Sequence, residues 1–183
     1  MAEVSILVTG YADLAHGLVG PTISLVRDHD HCLIIDPGSV SDPQVISLAL
    51  ARHHLKWEDI DAVGISHAHL DHYRFIGLFP RAVCLDAWGS WQANHFYAGP
   101  TERIYRPDIQ ILATPGHSHD SITFLVQTHL GRVAICGDLF WDESGPADDP
   151  YAEDIPLLRQ NREKIRTMAD WIVPGHGPMF RVS

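Results

Sequence analysis

Residues Ser66–His72 read "SHAHLDH" and follow directly on an apolar run, "DAVGI" (Asp61–Ile65), that has the character of a buried strand. Three histidines and an aspartate therefore crowd the end of one strand. Buried histidine has to be partnered or neutral, and buried aspartate has to be paired. Four such groups together are costly unless something binds them. The pattern recurs along the chain. Apolar strands end at "LIIDPG" with Asp36, "LATPGHSHD" with His117, "AICGDLF" with Asp138 and "IVPGHG" with His176. A sheet holds strand ends rigidly while their side chains reach its rim, which is where sites built from several strands form. Imidazoles with a few carboxylates are ligands for zinc, and a catalytic zinc keeps one position open.

The rest of the sequence sets the frame. Its 183 residues, 45% hydrophobic and 20% charged, fit one α/β domain over 1–183. The net charge of −10, from 13 Lys+Arg against 23 Asp+Glu, argues against tight nucleic-acid binding, which rests on neutralised phosphates. Thirteen histidines point to metal chemistry or pH sensing. Cys32, Cys84 and Cys136 are expected to be free buried thiols without a disulfide partner, in a reducing, cytoplasmic setting. No apolar run is long enough to cross a membrane, and the first residues lack the basic start of a signal peptide.

Strands are expected in "EVSILVTG", "GPTISLVRD", "HCLIIDPG", "AVCLDA", "IQILAT", "SITFLVQT", "RVAICGD" and "DWIVPGHG". One helix is expected in "SDPQVISLALARHH", capped by Ser41 or Asp42 and striped by Val45, Ile46, Ala49 and Leu50, and another from Pro156 to about Met168. Two sheets covered outside by helices are the economical solution.

Taken in order, "HAHLDH", "PGHS", "GD" and "PGHG" resemble the metallo-β-lactamase-fold hydrolases over nearly the whole chain. The resemblance implies an αββα four-layer sandwich, in a minimal single-domain version, with a binuclear metal site at one edge. By position His67, His69 and His117 would hold one metal, Asp71, His72 and His176 the second, and Asp138 would bridge both. Asp36 matches an acid that orients the site without binding metal. Two Zn2+ are implied, with Mn2+ or Fe2+ as alternatives. Water between cations about 3.5–4 Å apart becomes a nucleophile near neutral pH, and Asp71 would also orient it as a hydrogen-bond acceptor. The competing explanation is a satisfied histidine cluster or a closed structural zinc. A closed site uses four ligands, often cysteines; the seven residues here include no cysteine.

Within the superfamily, "GLFPRA" (Gly77–Ala82) and "VPGHGPMFRV" (Val173–Val182) resemble the metallo-β-lactamase domain-containing protein 1 group. That group is associated with RNA cleavage, which implies phosphodiester hydrolysis of a small molecule or short oligonucleotide. The alternative is hydrolysis of a small ester, thioester or lactone. Two further classes are a mononuclear-iron redox enzyme, resembling persulfide dioxygenases, and a non-catalytic metal-binding module. His119 and Trp141 are candidate substrate contacts, Trp141 standing where lactonase-like members tend to have tyrosine. The aromatic segment 87–99 is expected to pack between sheet and loop, or to wall the site. The acidic loop 142–154 is expected to be a solvated connection that caps the next helix.

Overall fold

In the computed structural model, which describes residues 1–183, the chain opens with β1 (Glu3–Val8) and a separate hairpin of β2 (Tyr11–Asp13) and β3 (Leu18–Gly20). Strands β4 (Ile23–Asp28) and β5 (His31–Ile35), helix α1 (Gln44–Arg52), strand β6 (Ala62–Gly64) and the one-turn helix α2 (Leu70–Tyr73) follow. Then come β7 (Val83–Asp86), β8 (Gly89–Gln92) and β9 (His95–Ala98). The second half holds β10 (Arg103–Arg106), β11 (Ile109–Ala113), β12 (Ile122–Thr128) and β13 (Gly131–Ile135), then helix α3 (Ile155–Met168), β14 (Trp171–Val173) and β15 (Phe180–Arg181). They form a seven-stranded sheet in the order β1-β4-β5-β6-β7-β8-β9 and a six-stranded sheet from β10 to β15 in sequence order.

Period-two alternation decides the layering, because successive strand residues face opposite sides of a sheet. Val26, Leu33, Ile35 and Leu85 of the first sheet meet Ile111, Phe124, Val126, Val133 and Ile135 of the second in one buried core. The alternate residues face outward. Ile23, Leu25 and Ile34 pack under Ile46 and Leu50 of α1, and Leu125, Ala134 and Ile172 pack under Leu158 and Ile165 of α3. Three cores between four layers are the αββα sandwich expected from the sequence.

Both helices begin where the sequence places their caps. The Asp42 carboxylate accepts from the Gln44 N–H at 2.8 Å, and that of Asp154 from the Leu157 N–H at 2.9 Å. Val45 departs from the expected stripe: it is 40% exposed, while Ile46, Ala49 and Leu50 are buried. The segment 87–99 follows the second of its two expectations, with Trp88 and Trp91 lining a cavity beside His67. It forms the β8–β9 hairpin at the sheet edge, and Trp88, Trp91, Phe96 and Tyr97 are all exposed rather than packed inside. No helix is long and apolar enough to cross a membrane, and all three cysteines are free.

Strands β5, β6 and β7 run parallel, as do β13 and β14, and β11 is antiparallel to β12, itself antiparallel to β13. The carboxyl ends of β5, β6, β11, β13 and β14 therefore emerge at one edge of the sandwich. Each is followed directly by one of the polar motifs.

Candidate metal centre

The motif at the end of β6 is anchored before it reaches the site. The Asp36 carboxylate accepts from the Ser66 N–H at 2.7 Å, from the Ser66 hydroxyl at 2.6 Å and from His72 Nδ1 at 2.9 Å. The Ser66 hydroxyl proton is thus committed to Asp36, so its oxygen accepts from His67 Nδ1 at 3.0 Å. Asp36 itself sits at φ 53°, a left-handed conformation that aspartate tolerates better than most residues. Two residues on, Gly38 lies against the Asp71 carbonyl, where any side chain would collide, and the Ser39 N–H donates to that carbonyl at 2.6 Å. This turn is the seat of α2, which carries Asp71 and His72.

Two other histidines are tethered the same way. His117 Nδ1 donates to Asp149 at 2.6 Å, and His176 Nδ1 to the Gly20 carbonyl at 3.0 Å. When Nδ1 carries the proton, Nε2 offers a lone pair. His67, His72, His117 and His176 therefore all turn an Nε2 acceptor toward the centre. The seven residues named from the sequence come together as two adjoining groups. Ligand atoms of His67, His69, His117 and Asp138 lie within 4.8 Å of one another, as do those of Asp71, His72 and His176. Asp138 faces both. Its Oδ1 is 3.2 Å from His72 Nε2 and 3.1 Å from His176 Nε2, while its Oδ2 is 3.5 Å from His117 Nε2 and 3.9 Å from His67 Nε2.

The residues fit a metal on one observation above all. Six buried side-chain N or O atoms in the protein lack a hydrogen-bond partner, and three of them, His67 Nε2, His72 Nε2 and Asp138 Oδ1, meet in this cluster. An unmade buried bond costs about 1–3 kcal/mol, and three at one point are what cation ligands look like without their cation. The electrostatics agree. Burial and the neighbouring His72 push His67 well below the usual histidine range, keeping it neutral. Burial would raise the Asp138 carboxyl, but His72 and His176 hold it well below the usual carboxylate range. Burial alone would lower His72, yet Asp138 and Asp36 hold it well above.

Sequence comparison agrees with the geometry. The sequence profile of the metallo-beta-lactamase superfamily matches residues 16–83. The Xenopus laevis metallo-beta-lactamase domain-containing protein 1 is 37% identical over 192 residues, covering 98% of this chain and 82% of that protein. The chain belongs to the metallo-β-lactamase superfamily. It spans 59–63% of the length of three mammalian proteins of the same name. The hydroxyacylglutathione hydrolase of Aeromonas hydrophila is 28% identical, over 63% of this chain and 45% of its own length. Among solved structures, a Thermotoga maritima protein assigned to the metallo-beta-lactamases superposes with TM-score 0.79 at 21% identity, covering 98% and 99% of the two chains. An N-acyl homoserine lactone hydrolase superposes with TM-score 0.71 at 15% identity, covering 96% and 92%. With that fold and this cluster, the chain is a metallo-hydrolase of the metallo-β-lactamase superfamily.

Outside the seven, the expectations divide. Trp141 lines the cavity over the cluster, but its indole N–H is already given to Asp149 at 3.1 Å and its ring stacks on Tyr151, so it presents a ring face and no free donor. His119 lines neither cavity at the site; its side chain is 76% exposed and pairs with Glu153 at 3.2 Å. The acidic loop is a solvated connection only in part. Asp154 caps α3, but Asp149 is buried at 3% exposure against a cluster histidine. Nothing in the acidic run "ADDPYAED" marks Asp149 off from Asp148. Only the fold does.

Proposed function

We propose that the chain hydrolyses a small ester, thioester or lactone with an apolar acyl group, using two zinc ions. The observation that carries this is the chemistry of the walls. A cavity of about 160 Å³ over the cluster is lined by Leu14, Val19, Trp141 and Tyr151, besides cluster residues. A second, of about 350 Å³, opens beside His67 and Ala68 against Ile76, Trp88 and Trp91. Neither contains a lysine or arginine. The carboxylates of the second are engaged: Asp86 accepts from Trp91 Nε1 at 3.0 Å, and Asp120 from the Ala68 N–H at 2.9 Å. An apolar acyl chain finds matching surface there. A polyanion would meet Asp71 and Asp138 with no guanidinium or ammonium among the walls. Phosphodiester hydrolysis, the leading expectation from the sequence, is thus less well supported than its alternative. Similarity to a protein named for hydroxyacylglutathione hydrolysis points the same way.

In this proposal His67, His69 and His117 hold one zinc and Asp71, His72 and His176 the other, with Asp138 between. Bound there, the cations supply positive charge that acidifies water and polarises a carbonyl. The chain does the rest. Asp36, through Ser66 and His72, keeps two imidazoles aimed inward. The Asp71 side chain is 21% exposed against 6% for Asp138, so it is the carboxylate placed to accept a hydrogen bond from attacking water. Leu14, Val19 and Trp141 keep bulk water from the scissile group.

The test is a panel on zinc-loaded protein: acyl-glutathiones, lactones and aryl esters of rising acyl length, bis-p-nitrophenyl phosphate and a short RNA. Turnover of the acyl substrates, with kcat/KM rising as the acyl chain lengthens, is expected. Cleavage of RNA or the phosphodiester with every acyl substrate inert overturns the proposal.

A further inference from the structure

The two groups of the cluster are steadied from different sides. Asp36 touches His72 directly and His67 through Ser66. His117 has no link to Asp36. Its Nδ1 meets Asp149, whose side chain is completely buried although it sits in an otherwise acidic, exposed loop. Both Asp149 oxygens are used: Oδ2 accepts from His117 Nδ1 and Trp141 Nε1, and Oδ1 accepts from the Tyr151 N–H at 2.9 Å. The same loop is strapped to the His117 turn by backbone bonds, from the Glu153 N–H to the His117 carbonyl at 3.0 Å and from the Asp154 N–H to the Gly116 carbonyl at 2.9 Å. A buried carboxylate whose acceptors are all met imposes one arrangement on its partners. It forces the Nδ1–H tautomer on His117, and it fixes Trp141 and Tyr151, which wall the cavity.

We propose that Asp149 is the positioning residue of the His67–His69–His117 group, keeping His117 Nε2 unprotonated and turned to the centre, where it meets His69 Nδ1 at 2.9 Å, and tying that position to the Trp141–Tyr151 wall. The proposal rests on the metal reading above, and the test separates the two. His176→Ala leaves only the first group able to hold zinc well, and His69→Ala only the second. Asp149→Asn, placed in each background, is titrated with zinc against a chelator. In the His176→Ala background the affinity is expected to fall about 10–100-fold, the usual effect of losing a carboxylate behind a metal-binding histidine. In the His69→Ala background it is expected to stay unchanged, which also shows that the variant is folded. Trp141→Phe, which leaves the His117 bond intact, is expected to change neither. No loss in either background, or equal loss in both, overturns the role of Asp149. A parent chain that binds no zinc overturns the metal reading and this inference with it. A measurement on the unaltered protein is independent of any variant's folding. Histidine 15N spectra of the zinc-free chain should show His117 protonated at Nδ1, and the opposite tautomer contradicts the proposal.

Discussion

At the scale of single residues, one carboxylate serves two ligands. Asp36 reaches His72 directly and His67 by way of the Ser66 hydroxyl, so its loss is felt in both groups of the cluster. Asp36→Asn keeps a residue that tolerates the φ 53° backbone but removes the charge. It is expected to weaken zinc binding about 10–100-fold at both positions in chelator competition; an effect on one alone would show that Ser66 does not relay. Protons give a second prediction. In the zinc-free chain Asp138 and Asp36 hold His72 above the ordinary histidine range, against its burial, and Asp138 does the same for His176. Raised values mean that protons compete with zinc for these imidazoles, since zinc requires Nε2 bare. Loading therefore displaces the protons these imidazoles hold, and affinity falls as pH is lowered. Calorimetry in buffers of different ionisation enthalpy should register that release, and a buffer-independent heat would contradict it.

At the scale of elements, the site is a consequence of where strands stop. Five carboxyl ends share one edge, and short turns carry each ligand inward. The tightest is the turn that seats α2, where Gly38 leaves no room for a side chain beside the Asp71 carbonyl. Gly38→Ala must push α2 away. It is expected to destabilise the fold by about 1–3 kcal/mol, as overpacking does, and to lower affinity at the Asp71–His72–His176 position more than at the other. Denaturant unfolding and zinc titration check the two parts, and an unaltered second position would mean that α2 is not held by this turn. The strand-end motifs were legible in the sequence because each follows an apolar run with clear periodicity. The β2–β3 and β8–β9 hairpins were not. Strands β2, β3 and β9 are almost wholly exposed and carry no alternation to read. The two-residue β8–β9 turn places Ala93, ahead of Asn94, at φ 53°, a position that glycine usually marks. Asp149 was hidden for a different reason: burial in a loop is decided by tertiary packing, and its neighbours in the chain are equally acidic.

At the scale of the whole molecule, two sheets share one core while helices seal the outer faces, so the cluster is supported from both halves of the chain. Bonds cross directly between them: Ile122 N–H to the Ser66 carbonyl at 2.8 Å, and Ala68 N–H to Asp120 at 2.9 Å. The chain carries a net charge of −10, and neither cavity at the cluster is lined by lysine or arginine. Activity on a neutral ester should therefore be nearly independent of ionic strength between low and physiological salt. A steep fall with salt would reveal electrostatic capture of substrate that these walls do not provide. The central claim is that seven side chains from both sheets hold two cations. Elemental analysis of the zinc-equilibrated, dialysed chain tests it most directly: two zinc ions per chain are expected, and a single ion or none would contradict the account.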